Sequence, residues 1–236
     1  MSSFVLKIIA IIAMTLDHIG AVFFPMGDVL FPYNIILRTV GRLTMPIMCF
    51  FIGEGYVHTR DKKKYSQRLA VFALISEIPY RLLLDNEMNV MFTLLIGFCG
   101  IWASDNLKEK FRSDSFRVPV YLLSVIIAMV VDCDWSYIGV LLIYAFYHGR
   151  DSKVKGILYP LGVYIFVLVT AYFDAVFFMG FEYFYINYIQ LAGCLSIPLL
   201  MLYNGKKGPS LKYLFYIYYP LHMLVLWAIC NWGSIL

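Results

Sequence analysis

Residues 4–24 read FVLKIIAIIAMTLDHIGAVFF, and among these 21 residues only Lys7, Asp17 and His18 can carry charge. A helix that crosses the bilayer core needs about 20 largely apolar residues, so this run is long enough to span. Lys7 lies within it and no clear small-x-small cleavage pattern follows, so it is expected to be a retained span and not a signal peptide. Cutting the rest of the chain at charge clusters and turn residues gives eight more apolar segments: 35–57, 65–84, 89–103, 116–131, 135–147, 154–178, 186–203 and 211–232. The fold expected is all-α: a polytopic integral membrane protein of about nine transmembrane helices, forming one domain over 1–236.

Composition excludes the soluble alternatives. Apolar residues make up 61% and charged residues 14%, where a soluble domain has about 45–50% and about 25%. Mean hydropathy is +0.76. The five cysteines form no C-x-x-C pair and mostly sit in apolar runs, so they read as small buried hydrophobes. No metal is expected. A net charge of +4 on such a chain speaks to membrane orientation and not to nucleic acid. With a cytoplasmic N-terminus, 16 of the 19 basic residues fall at the start of the first span or in the inner loops, and the outer loops hold none. The other three, Arg38, Arg42 and Arg81, lie within spans or at their outer ends. That alternation is what the positive-inside rule requires.

Charges at membrane depth are costly and usually face a bundle interior. Asp17 and His18 close the first span, and a histidine with a pKa near 6.5 suits proton transfer. It equally suits a hydrogen bond between helices. Arg38 and Arg42 are four apart and share one helix face. They can pair with Asp17, Glu77 or Asp132, or they can hold an anion. Pro46 is expected to kink or loosen the same span. Glu77 precedes Arg81 by four residues, the favourable order for an intrahelical pair. These residues, with Asp132 and Asp134, map to the outer half and make a candidate active site if their helices converge. His222 lies mid-span in the last segment. H-E-x-x-H, Walker and G-x-S-x-G patterns are absent, so metalloprotease, ATPase and serine hydrolase lack support. No sequence repeat is evident, so the inverted-repeat transporter signature is missing too.

Several strings resemble the TraX family: Lys7-Ile8-Ile9-Ala10 with Met14-Thr15-Leu16-Asp17-His18-Ile19-Gly20, Leu37 to Pro46, His58-Thr59-Arg60, Tyr65 with Arg68-Leu69, Asn89 to Leu94, Leu202 to Lys206, and Phe215 to His222. They follow the family's order over nearly the whole chain. The resemblance implies a multi-pass protein of the inner membrane, and the family's founding member acetylates the N-terminus of a conjugative pilin subunit. The family is similar to the transmembrane acyltransferases, which carry an acyl group from cytoplasmic acyl-CoA to an extracytoplasmic acceptor. On that resemblance the donor is acetyl-CoA or another acyl-CoA, and the acceptor is a peptide or glycan outside the membrane. His18 is the leading base, Asp17 orients it, and Arg38 and Arg42 bind the donor or stabilise the thioester oxyanion. Arg60, Lys63, Arg68 and His222 are the donor-binding candidates, with His222 also in reserve as the base. A transporter or proton-coupled permease built on the same buried charges is the alternative, and a scaffold with structural ion pairs is a third.

The charge alternation predicts the outcome of cysteine labelling from outside the cell. A probe near Asp28 or Asp85 should react, and one near Lys63 or Lys207 should not. Reaction near Lys63 would reverse the orientation.

Overall fold

A computed structural model describes residues 1–24, 31–84, 87–180, 189–209 and 213–232. Asp28, Asp85, Lys212 and the first residues of the last two apolar segments (186–188 and 211–212) lie outside the described residues. The described chain is all-helical, with no strand and a single isolated bridge between Met88 and Cys133. The helices are α1 (Ser3–Phe23), α2 (Phe31–Gly41), α3 (Thr44–His58), α4 (Lys62–Leu83), α5 (Val90–Phe111), α6 (Arg117–Val131), α7 (Ser136–Gly149), α8 (Lys153–Asp174), α9 (Ser196–Met201) and α10 (Leu214–Cys230). Short 3-10 turns at Asp114–Phe116 and Ile189–Leu195 precede α6 and α9, and a π turn, Ala175–Met179, ends α8.

Every apolar segment of the sequence is helical over its described part. Among the described residues, five stretches are long and apolar enough to cross a membrane: Ser3–Phe23, Pro32–His58, Val90–Phe111, Asp114–Val131 and Lys153–Phe178. Their surfaces agree with that solvent. On α6, Val118, Leu122, Ile126 and Val130 are all exposed, a stripe that water would not tolerate on a monomer. Two boundaries differ from the apolar pattern. The fourth segment does not stop at Ala103, because α5 runs on with a polar last two turns to Phe111. The second segment is two helices, parted at Arg42 and Leu43.

Loop chemistry explains where helices begin and end. Asp61 caps α4 by accepting from Lys64 N at 2.8 Å, a bond that lowers its carboxyl pKa. Arg112 and Asp132 end α5 and α6 in the left-handed region, at φ 51° and 54°. Lys108 and Arg117 both reach Asp114 Oδ1, at 3.2 and 2.7 Å, and brace the tight turn between these helices.

The chain divides into two compact units. The first, 1–48 and 148–215, pairs α1 with α2 and adds α8 and α9. Its N-terminal residues dock on the loop after α9: Ser3 N donates to Lys206 O at 2.8 Å and Phe4 N to Lys207 O at 3.1 Å. Those bonds satisfy amides that a helix start leaves open. The second, 49–147 and 216–236, contains the rest of α3, then α4 to α7 and α10. Its interior includes Phe98, Ile101, Val140 and Leu142, all fully buried.

Asn89 ties the second unit together. Fully buried, it caps α5 by accepting from Met91 N at 3.0 Å, and its amide donates to Ala73 O and Glu77 Oε2 at 2.8 and 2.7 Å. Asn89→Ala removes all three bonds and leaves buried partners unmatched, which typically costs about 1–3 kcal/mol per stranded group. The expected outcome is a clear fall in the thermal midpoint of the purified protein, whereas Ser113→Ala, at an exposed cap, should shift it by a few tenths of that amount.

Candidate functional site

In the first unit Asp17 on α1 meets both arginines of α2. Its Oδ2 pairs with Arg38 Nη1 at 2.9 Å and its Oδ1 with Arg42 Nη2 at 3.4 Å. The Asp17 side chain is 14% exposed and that of Arg42 4%. Of the partners open to the arginines, Asp17 is therefore the one they share. Two guanidinium groups thus meet at one carboxylate.

Sequence dictates the closeness of this meeting. A Cβ on Gly41 would stand 2.2 Å from Asp17 Cβ and Oδ1, and one on Gly20 2.8 Å from Leu37 Cβ. Both glycines let the backbones of α1 and α2 approach. Asn34 secures the other end, donating to Gly20 O and Phe24 O at 2.9 and 2.7 Å. Pro46 explains the interruption after Gly41. It has no N–H to offer the carbonyl four residues earlier, Arg42, and its ring crowds that carbonyl. The chain breaks there and not at the proline, and Leu43 N turns back to Val40 O at 3.2 Å. Thr44 Oγ1 then donates to Ala10 O at 3.1 Å and fixes the start of α3 on α1. Helix breaks at membrane depth are tolerated where they are buried in protein or line a cavity, and the buried Arg42 sits at this one. His18 is buried, 7% exposed, in this same unit.

The second unit holds the other polar residues. Glu77 binds Arg81 at 2.6 Å through Oε1 and Asn89 through Oε2, so the pair foreseen from the i,i+4 spacing also carries a loop. Met88 exchanges backbone bonds with Asp132 and Asp134, at 2.9 and 2.8 Å, and Thr93 Oγ1 donates to Asp134 O at 2.5 Å. Glu87 beside this turn has its pKa raised by burial and by Asp132. Asp17, His18, Arg38 and Arg42 thus belong to one unit, and Glu77, Arg81, Asp132, Asp134 and His222 to the other.

His222 is 6% exposed, and its Nδ1 lies 2.8 Å from Tyr218 O. A carbonyl only accepts, so Nδ1 carries the proton and the neutral ring has its lone pair on Nε2. Of the proposed donor-binding residues, Arg60 and Lys63 are exposed. Arg68 lies over the Tyr65 ring at 5.4 Å. Sequence reading missed Asp105. Tyr56 and Tyr147 both donate to its Oδ2, at 2.9 and 2.8 Å. The three come from α3, α5 and α7, and no local spacing relates them.

The family model described as TraX protein matches residues 2–230. The chain is 33% identical over 245 residues to a Dichelobacter nodosus protein named "Probable fimbrial assembly protein FimC, serogroup H1", with 95% of this chain and 94% of that one covered. An uncharacterized protein of Rickettsia prowazekii is 33% identical over 113 residues, covering 47% of this chain and 41% of the other. No solved structure matches.

The packing around Asp17 makes two variants diagnostic. Gly41→Ala forces a methyl into the carboxylate, and overpacking of this kind costs about 1–3 kcal/mol. Asp17→Asn leaves two guanidinium groups facing each other and should cost more, about 3–5 kcal/mol, as when one partner of a buried pair is removed. Thermal unfolding of the detergent-solubilised protein should rank them in that order, with Arg38→Gln, at a side chain 30% exposed, milder than either.

Proposed function

This chain belongs to the TraX family, and on that footing we propose that it is a pilus-associated acyltransferase of the inner membrane, crossing it about nine times with its N-terminus inside. It moves an acetyl group from cytoplasmic acetyl-CoA to an extracytoplasmic acceptor, a peptide or pilin N-terminus or an envelope glycan. The observation that carries the reading is the Asp17–Arg38–Arg42 cluster at the helix break, where one carboxylate holds two guanidinium groups in place and Arg42 is buried. The name of the Dichelobacter relative supports the link to pili.

The chemistry follows from what the residues can do. A thioester carbonyl attacked by an amine or hydroxyl develops negative charge on oxygen. Arg42 or Arg38, held in place by Asp17, stabilises that charge without reorganising at the moment of reaction. His18, next to Asp17 in sequence and in the same unit, removes the proton of the attacking group. Both oxygens of Asp17 are engaged by arginines, so its part is to fix the arginines more than the ring. Coenzyme A then leaves as the thiol towards the basic inner loops, where Arg60 and Lys63 add electrostatic attraction for its phosphates.

Purified protein given acetyl-CoA and a peptide with a free amine tests this through thiol release and the mass of the peptide. His18→Gln should lose about 10²–10⁴-fold in rate with insertion and thermal stability kept. Arg42→Lys should lose about 10²–10³-fold, chiefly in kcat, if that side chain meets the oxyanion. A rise in KM alone would make it a phosphate ligand. Wild-type rates in both His18→Gln and His222→Gln would end the histidine mechanism. Vectorial uptake of a solute with no covalent change in it would favour the permease.

A further inference from the structure

Asp105 is a carboxylate with an odd set of partners. Tyr56 and Tyr147 saturate one of its oxygens, Oδ2, and among the described residues no cation lies within ion-pair distance and nothing bonds Oδ1. The residue is half-buried, so the open oxygen is not sealed from a ligand. Two phenols hold a carboxylate in position without neutralising it. Helix packing alone would be served by a neutral amide at less cost in desolvation.

The surroundings specify what fits. Asp105 sits where the end of α3, the start of α4 and the ends of α5 and α7 meet. Lys62 Nζ stands over the Tyr56 ring at 4.7 Å, and Arg68 lies over Tyr65 with its Nε buried and without a hydrogen bond. Tyr65 in turn covers Gly55 on α3, where a Cβ would come within 2.7 Å of its hydroxyl. Arg60, Lys63 and Lys64 add positive charge along the same helix start. Two of the nearby acids are occupied, Asp61 with Lys64 at 3.4 Å and Glu54 with His58 at 3.6 Å, and Glu109, one turn after Asp105 on α5, is exposed and outnumbered by the basic residues around it. Such a field repels a cationic amine. It favours a ligand with anionic phosphates and a neutral N–H donor, which is the description of a nucleotide. Because one oxygen of Asp105 is already taken by two phenols, the carboxylate offers a single acceptor. That matches the lone exocyclic amine of adenine and not the paired N–H groups of guanine.

We propose that Asp105, fixed by Tyr56 and Tyr147, accepts the exocyclic N–H of an adenine nucleotide whose phosphates pair with Arg68 and Lys62. The inference rests on the acyl-CoA reading above, since coenzyme A carries this nucleotide at the end remote from its thiol. Asp105 is thus a binding and specificity residue and takes no part in bond making.

Calorimetric titration of the full-length protein in lipid nanodiscs tests it without an acceptor. The probes are coenzyme A and ADP, each beside its deaminated counterpart, in which a carbonyl replaces the adenine amine. Wild-type protein should prefer coenzyme A over the deaminated form by about 10-fold or more, as expected when a site's hydrogen-bond acceptor is left unpaired. Asp105→Asn should erase that preference, whereas Arg68→Gln should weaken both forms equally. Equal wild-type affinity for the two forms overturns the proposal whether or not Asp105→Asn folds, and so does a preference that survives in Asp105→Asn. If coenzyme A binds in either of those cases, the acyl-CoA reading stands alone. An Asp105-dependent preference for ADP with no binding of coenzyme A upholds the site and removes the acyl donor. Failure of all four probes to bind overturns both.

Discussion

A carboxylate at membrane depth has to be matched, and Asp17 is matched twice. From that requirement most of the first unit follows. For Asp17 to reach Arg38 and Arg42 together, α1 and α2 must approach more closely than side chains normally permit, and Gly20 and Gly41 remove the obstruction. Arg42 follows Arg38 by one turn and so faces α1 as well, its N–H still bonded to Arg38 O at 3.0 Å, and just beyond it Pro46 ends the helix by denying the Arg42 carbonyl its partner. Residues separated by almost thirty positions act as one device: an ion pair, two clearances and a break. Removing any of them alters the geometry available to the others, which is why function and stability cannot be assigned separately within the cluster.

The sequence strings that resemble the TraX family acquire physical roles in the same way. Asp17 and Gly20 close one string, and Arg38, Gly41, Arg42 and Pro46 form another, yet in the folded chain they are one contact. Asn89 and Thr93 come from a third string. The first caps α5 and binds α4, and the second reaches the turn that follows α6. In each case a short string supplies one half of an interaction whose other half lies far away in sequence: in another string for Asp17 and its arginines, and outside the strings for Asn89 and Thr93.

That division explains what could be read beforehand. Helical segments were legible because bilayer-length apolar runs are local, and Glu77 with Arg81 was legible because four residues separate them. The sharing of Asp17 by both arginines was one of several permitted pairings, since sequence does not say which helices touch. The break at Arg42 was foreseen only as a kink at Pro46, because the consequence of a missing N–H is felt four residues upstream. The extension of α5 past Ala103 was hidden by Asp105, Lys108 and Lys110, polar residues that end an apolar pattern without ending a helix. Asp105 looked like the start of a loop. Its meaning depends on tyrosines about fifty positions before it and about forty after it, and only tertiary structure brings them to it.

Within this molecule there is an internal standard for what a purely structural ion pair looks like. Glu77 gives one oxygen to Arg81 and the other to the backbone and side-chain amides of Asn89. Charge is balanced one to one, each oxygen is used, and the result holds a helix to a loop. The other two polar clusters differ from that standard. Asp17 divides its two oxygens between two arginines, and Asp105 has two hydroxyls on one oxygen and, among the described residues, no cation within ion-pair distance. A frame gains little from a carboxylate held by phenols alone, because no opposite charge recovers its desolvation. The proposed acyl transfer gives both clusters a use: arginines fixed where an oxyanion would develop, and an acceptor open to a neutral donor group. The contrast between the closed Glu77 network and these two clusters is therefore a physical argument for the proposed transferase over a membrane-embedded frame.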